Sequence, residues 1–196
     1  METALYRASL LLAPALYFTS GFFWLNNGLY NITGGTLVVV GSVFYVLAFN
    51  GIFTLLEKKA PRYSSFVKLL AIYGCMCGGV AFGLRDVFMD MFSVSHAVML
   101  QALAIHPFAA NIIFWVGGPT FPLSMLVLGI MLIVKKAAPA RIGILLSLSA
   151  VLFPISRILR MEWLAHVTDL LMLIPLWYIA FALTAMRTTN QVGSQI

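Results

Sequence analysis

The sequence predicts an all-α protein, a polytopic membrane helical bundle with six transmembrane helices, and three observations carry that prediction. Charge is scarce: 196 residues hold 12 Lys or Arg and 6 Asp or Glu, where a water-soluble domain would charge roughly a quarter of its positions. Charge is also segregated, since Ala8 to Leu56 and Met91 to Val134 contain none. Finally, runs such as Thr36 to Phe49 are apolar without the alternation of a barrel strand. Backbone amides in hydrocarbon must be paired inside their own segment, which leaves helices. The mean hydropathy of +1.00 agrees.

Six apolar stretches come close to the ~20 residues needed to cross about 30 Å of hydrocarbon. They are Leu5–Leu25, Thr36–Leu56, Phe66–Phe88, Phe108–Val134, Ile142–Leu159 and Leu164–Met186. The first has a small-x-small triplet, Ala13-Pro14-Ala15, but too short an apolar run before it for a cleaved signal, so it reads as a retained helix bent at Pro14. In the third, Gly74/Gly78 and Gly79/Gly83 form two consecutive Gly-x-x-x-Gly pairs, a spacing that lets neighbouring helices approach closely. Cys75 and Cys77 point about 200° apart on a helix and read as packing residues. In the fourth, Gly117-Gly118-Pro119 and Pro122 predict a kink or a partly unwound stretch, because each proline removes a backbone donor.

Ser93–Ile105 is apolar enough to be a seventh span. Counting it would put Lys135, Lys136 and Arg141 outside, against the charge rule, so it is expected to lie at or dip into the outer surface and to end at His106-Pro107. Residues 1–187 form one transmembrane domain and 188–196 a short polar cytoplasmic tail. With the amino terminus inside, Arg7, Lys58, Lys59, Arg62, Lys68, Lys135, Lys136, Arg141 and Arg187 face the cytoplasm, against Arg85, Arg157 and Arg160 outside. That bias places both termini in the cytoplasm. The chain reads as a small bacterial protein of the inner (plasma) membrane. Its basic residues fall between spans, where they meet anionic lipid, rather than in one patch, which excludes a nucleic-acid partner.

One constellation can carry chemistry. Asp86, Asp90, Glu162, Asp169, His96, His106 and His166 all fall toward the outer side, with the three outer arginines. Counted along the helices from Lys68, Arg141 and Arg187, residues Arg85, Arg157 and Asp169 sit about 24–27 Å from the inner interface. Charges at that depth face a bundle interior or a wet cavity, and they are paired. Glu162, His166 and Asp169 share one helix face at i, i+4, i+7, as do Asp86 and Asp90 at i, i+4. Carboxylates and imidazoles on facing helices are how bundle metal sites are built, which makes Asp86, Asp90, Glu162, His166 and Asp169 the metal-ligand candidates. The arginines among them and the lack of a recurring Glu-x-x-His weaken that reading. A serine nucleophile finds no Gly-x-Ser-x-Gly elbow.

The favoured reading is an outward-facing polar pocket on the third, fifth and sixth spans. Arg85, Asp86, Arg157, Arg160, Glu162, His166 and Asp169 are its ligand-binding candidates. The arginines would hold a small acid or lipid head group, while His166 and Asp169 share a proton, in the service of transport, sensing or an enzyme step. The expected partners are membrane lipid and a small anionic ligand, and a homo-oligomer or a larger membrane complex is also compatible. No motif names a reaction or a cofactor. The rival readings are an accessory subunit of such a complex, with the charges purely structural, and a metal-dependent intramembrane enzyme. Trp24, Tyr30 and Trp163 read as interfacial aromatic anchors.

Overall fold

The computed structural model describes the backbone of residues 2–57 and 59–193, and the side chains within 4–183 apart from 58 and 62. It is a bundle of seven helices with no strand among the described residues. These are α1 (Glu2–Ser20), α2 (Ile32–Glu57), α3 (61–91), α4 (His96–Ile105), α5 (Pro107–Val134), α6 (Ala140–Ile158) and α7 (Glu162–Gly193). Five are long and apolar enough to cross a membrane: α2, α3, α5, α6 and α7. The remaining predicted span, the first, is α1, which packs between α2 and α7 and closes a ring running α1–α2–α3–α5–α6–α7. Trp177 Nε1 donates to the Leu11 carbonyl at 3.0 Å across the closing seam.

The chain reverses at each loop, so the ring has two distinct ends. At one, Tyr6 packs on Gly51, Arg7 lies over the Phe181 ring, and Lys59 Nζ donates to the carbonyls of Lys135 and Lys136. The start of α1 and the inner half of α7 share that side with the basic loops. It is called the inner end here, following the positive-inside assignment; the side chains of Lys58, Arg62 and Arg187 lie outside the described residues. At the outer end, loop 21–31, turn 92–95 and turn 159–161 come together. Of the expected tail, 194–196 lie outside the described residues, and the backbone before them continues α7 to Gly193.

Lipid tails are as apolar as leucine, so packing rather than water exclusion must hold such helices together. The glycines of α3 supply it on both sides. A Cβ on Gly74 would lie 2.5 Å from the Phe121 nitrogen, and one on Gly78 2.7 Å from the Gly118 oxygen, both on α5. A Cβ on Gly79 would strike Ser42, and one on Gly83 would lie 2.8 Å from the Gly35 oxygen, both on α2. The two consecutive motifs therefore serve two different neighbours, and both lie within this chain. Along the ring axis, aromatic residues from four helices interlock. Tyr17 meets Tyr45 edge-on with centroids 4.9 Å apart, Tyr45 meets Phe121 at 5.2 Å, and Phe121 meets Phe153 at 5.3 Å. Toward the inner end the axis is filled by buried Phe53, Leu56, Leu128, Leu132 and Leu183.

Three local outcomes differ from the sequence expectation or sharpen it. The expected kink in the fourth span takes the form of a π-helical stretch, Asn111–Val116, just before Gly117. Pro119 has no N–H to offer the turn before it, and a wider turn there accommodates the missing bond. A second π stretch, Cys75–Ala81, faces it from α3, and no sequence rule announced it. Across the pair, the Tyr73 hydroxyl donates to the Ile112 carbonyl at 2.5 Å. The first span ends earlier than expected, at Ser20, whose hydroxyl bonds back to the Tyr17 carbonyl at 2.6 Å.

The segment 93–105 is helical over His96–Ile105, with the Ser95 hydroxyl accepting from the Val98 N–H as its cap. Ten residues rise about 15 Å, half of what a crossing requires. It has no buried residue.

Candidate functional site

The outer end is built by helix termini and the side chains that satisfy them. α3 and α6 stop here on left-handed residues, Ser93 (φ 52°) and Arg160 (φ 53°), as α5 does at the inner end on Lys136 (φ 48°). The next N–H reaches back to the last turn in every case: Val94 to Met89 at 2.8 Å, Ala137 to Leu132 at 2.9 Å and Met161 to Ser156 at 3.0 Å. These are Schellman closures made without glycine. At Arg160 the geometry turns the side chain over loop 21–31, where Nη1 donates to the Asn27 carbonyl at 2.7 Å. A Cβ on Gly28, itself at φ 75°, would lie 2.6 Å from the Arg160 Cβ, so only glycine fits beneath that arginine.

The start of α2 is capped from two directions. Asn31 Oδ1 accepts the Gly34 N–H at 2.9 Å, and Asp90 Oδ2 accepts the Ile32 N–H at 2.8 Å. Asp86 Oδ2 accepts the Tyr30 N–H at 3.1 Å. Two carboxylates from the end of α3 thus meet the positive end of α2, where the helix dipole favours negative charge. Asp86 Oδ1 takes Arg85 Nε and Nη2 at 2.8 and 2.6 Å, and the guanidinium lies 4.6 Å from the centre of the Phe82 ring.

The second ion pair is separate. Arg157 Nη2 donates to both oxygens of Asp169, at 2.7 and 2.8 Å, and Nη1 to Ser156 Oγ at 2.9 Å. The guanidinium rests 4.2 Å from the centre of the Phe153 ring. The Asp169 side chain is 0% exposed and that of Arg157 19%. Tyr30 links the pairs, with its N–H on Asp86 and its phenol beside Arg157.

The other candidates sit apart. His166 packs against Phe22, centroids 4.5 Å apart, beneath Gly21, and its Nε2 lies 3.8 Å from Glu162 Oε1 in the solvent-facing first turn of α7. The shared face of Glu162, His166 and Asp169 thus descends from water to the core, and the three do not converge. Among the described residues no three of His, Cys, Asp and Glu are grouped to hold a metal ion. His96, at the start of α4, has Arg160, Arg85 and Asp86 as its charged neighbours. Burial and the two arginines hold its pKa below the usual 6.5, against the opposing pull of Asp86.

A cavity of about 240 Å³ opens at this end. Its polar lining comes from Asp86, Asp90, Asn27, Tyr30, Ser93 and Ser95, and its apolar walls from Leu25, Leu29, Met89 and Val94. Of the expected site residues it brings together Asp86 and Asp90. The sixth and seventh helices contribute none of this lining. Arg85, Arg157 and Arg160 do not point at one centre: one lies on Asp86, one on Asp169 and one on the Asn27 carbonyl. Sequence reasoning passed over Asn27 and the second role of Tyr30, and considered Ser93 and Ser95 only as nucleophiles near His96. The one signal available was Asn26-Asn27-Gly28, a turn that brings loop 21–31 back over the bundle.

Compared with protein-family models, curated proteins and solved structures, the chain matches none. The helices establish a multi-pass, membrane-embedded bundle.

Proposed function

We propose that the protein binds a lipid-like ligand at its outer end, with a hydrogen-bond-donating head group in the cavity beside Asp90. The cavity carries the reading. It combines two carboxylates, two serine hydroxyls, Tyr30 and an amide with apolar walls at the outer rim of the bundle. Asp86 is neutralised by Arg85, so the charge left to a ligand is that of Asp90. Asp90 uses one oxygen on the Ile32 N–H and keeps its charge and acceptor capacity for an ammonium. The anionic part of such a ligand belongs to Arg160, exposed at the rim and holding donors beyond the one given to Asn27. This narrows the anion-binding expectation to one arginine, because Arg85 and Arg157 are engaged by carboxylates.

Delipidated protein titrated with phosphatidylethanolamine or phosphatidylglycerol and examined by native mass spectrometry tests the proposal. The ethanolamine lipid should be retained in preference, and Asp90→Asn should remove the preference. Equal retention of both lipids by the parent protein contradicts it. A second reading, an accessory subunit whose outer charges are purely structural, is favoured by the ion pair of Arg157 with the wholly enclosed Asp169. It predicts no lipid preference in any variant.

A further inference from the structure

We propose that the outward face of α5 around Asn111 is the contact through which two copies of this chain pair in the membrane, their Asn111 amides hydrogen-bonded to each other. Phe108, Ile112 and Trp115, the helical neighbours of Asn111, are 79%, 41% and 58% exposed, and no residue of Asn111–Val116 is buried. The asparagine therefore lies on the side of α5 turned away from the ring. Its amide makes no hydrogen bond among the described residues. The exposed Thr19 and Thr36 hydroxyls, by contrast, return to the Ala15 and Ile32 carbonyls one turn back.

Depth makes an unpaired amide costly there. The Ile112 carbonyl accepts the Tyr73 hydroxyl, and the Phe114 ring meets Phe82 at 5.2 Å. Tyr73 precedes Arg85 by twelve residues on α3, which sets it on the order of 15 Å of helix below that outer arginine. One tyrosine side chain does not span such a rise, so Ile112 and Asn111 lie in hydrocarbon, beneath the arginine level. Acyl chains offer neither donor nor acceptor, and amides within a membrane bond across to another helix.

A second copy is the occupant that suits this face. No Asp, Glu, Lys or Arg occurs from Met91 to Val134, so two such faces meet without repulsion and offer nothing to a charged partner. A carboxamide holds donors and acceptors together, so identical amides across a twofold axis satisfy each other, each N–H on the other's oxygen. α4 widens the surface: it packs chiefly on the first turn of α5 and buries none of its residues. Its sequence is apolar but for His96 and Gln101, unlike a surface helix that keeps a charged face to water.

Single-molecule photobleaching of the labelled full chain in dilute liposomes counts the copies in each particle. The parent should be dimeric, and Asn111→Leu should weaken pairing by roughly tenfold. Asn111→Gln keeps the amide and should lose far less, while Asn50→Leu, which removes the amide of α2, should pair like the parent. Copper-phenanthroline oxidation should link two copies through Trp115→Cys and not through Val43→Cys, on the exposed face of α2. The native Cys75 and Cys77 are buried and stay out of that reaction. A monomeric parent overturns the proposal. So does a dimer that Asn111→Leu leaves intact, or one that links through Val43→Cys instead of Trp115→Cys.

Discussion

Arg157 and Asp169 meet across the packed faces of α6 and α7, with one guanidinium nitrogen bonded to both carboxylate oxygens at 2.7 and 2.8 Å. The carboxylate is wholly enclosed. Each charge makes the other tolerable at that depth, so removing one strands its partner. Asp169→Asn should destabilise the protein in detergent by about 3–5 kcal/mol, the usual cost of breaking a buried pair. Adding Arg157→Gln should recover much of that loss. Thermal unfolding of both single variants and the double checks this, and three melting temperatures equal to the parent's would refute the pairing.

Gly28 sits in the left-handed region directly beneath Arg160. Gly28→Ala should cost about 1–2 kcal/mol from backbone conformation alone, with the displaced arginine adding to it. Arg160→Gly removes the arginine Cβ and the rest of the side chain, so the same Gly28 substitution should cost less in that background. Equal losses in both backgrounds would show that the two residues do not press on each other.

The basic loops predict orientation. Reporter fusions at residue 60 and at the carboxyl terminus should both score cytoplasmic, and one near residue 30 should score external. An external carboxyl terminus would break the pairing of both chain ends with the lysine loops.

His96 gives a pH dependence whose sign follows from its environment. Its folded pKa is held below 6.5 by burial and by Arg160 and Arg85. Between that value and 6.5 the unfolded chain binds the proton more readily, so stability is full above about pH 6.5 and declines as pH falls through the lowered pKa. Melting curves from pH 7.5 to 5 should show the decline, and His96→Gln should flatten it. An unchanged slope in that variant would assign the titration elsewhere.

Much of this was legible in the sequence because lipid imposes simple rules. Five of the six predicted spans meet the length and apolarity needed to cross, and the sixth is a helix in the ring. Depth counting set Arg157 and Asp169 at one level on neighbouring helices, and they bond there. Which arginine meets which carboxylate was not legible. Arg85 turns to the residue beside it in sequence, a choice made by Phe82 beneath it and by the Tyr30 N–H on the far oxygen of Asp86. Nor did the spacing of Glu162, His166 and Asp169 say that the face runs out of the membrane, or that phenylalanines would cover His166. Loop 21–31 carries no periodicity, so its return over α3, which forms the cavity, could be read only from coordinates.

The central claim is that the cavity beside Asp90 binds the head group, whereas the Arg157–Asp169 pair only holds the bundle around it. Asn at position 90 keeps an oxygen for the Ile32 N–H while removing the charge, so this substitution tests binding with little cost to the start of α2. Retention of phosphatidylethanolamine should therefore be measured side by side in the parent, in Asp90→Asn, and in the Arg157→Gln, Asp169→Asn double variant. The account predicts loss in Asp90→Asn at a near-parental melting temperature, and retention in the double variant. Retention in Asp90→Asn with loss in the double variant would contradict it and move the site to the ion pair.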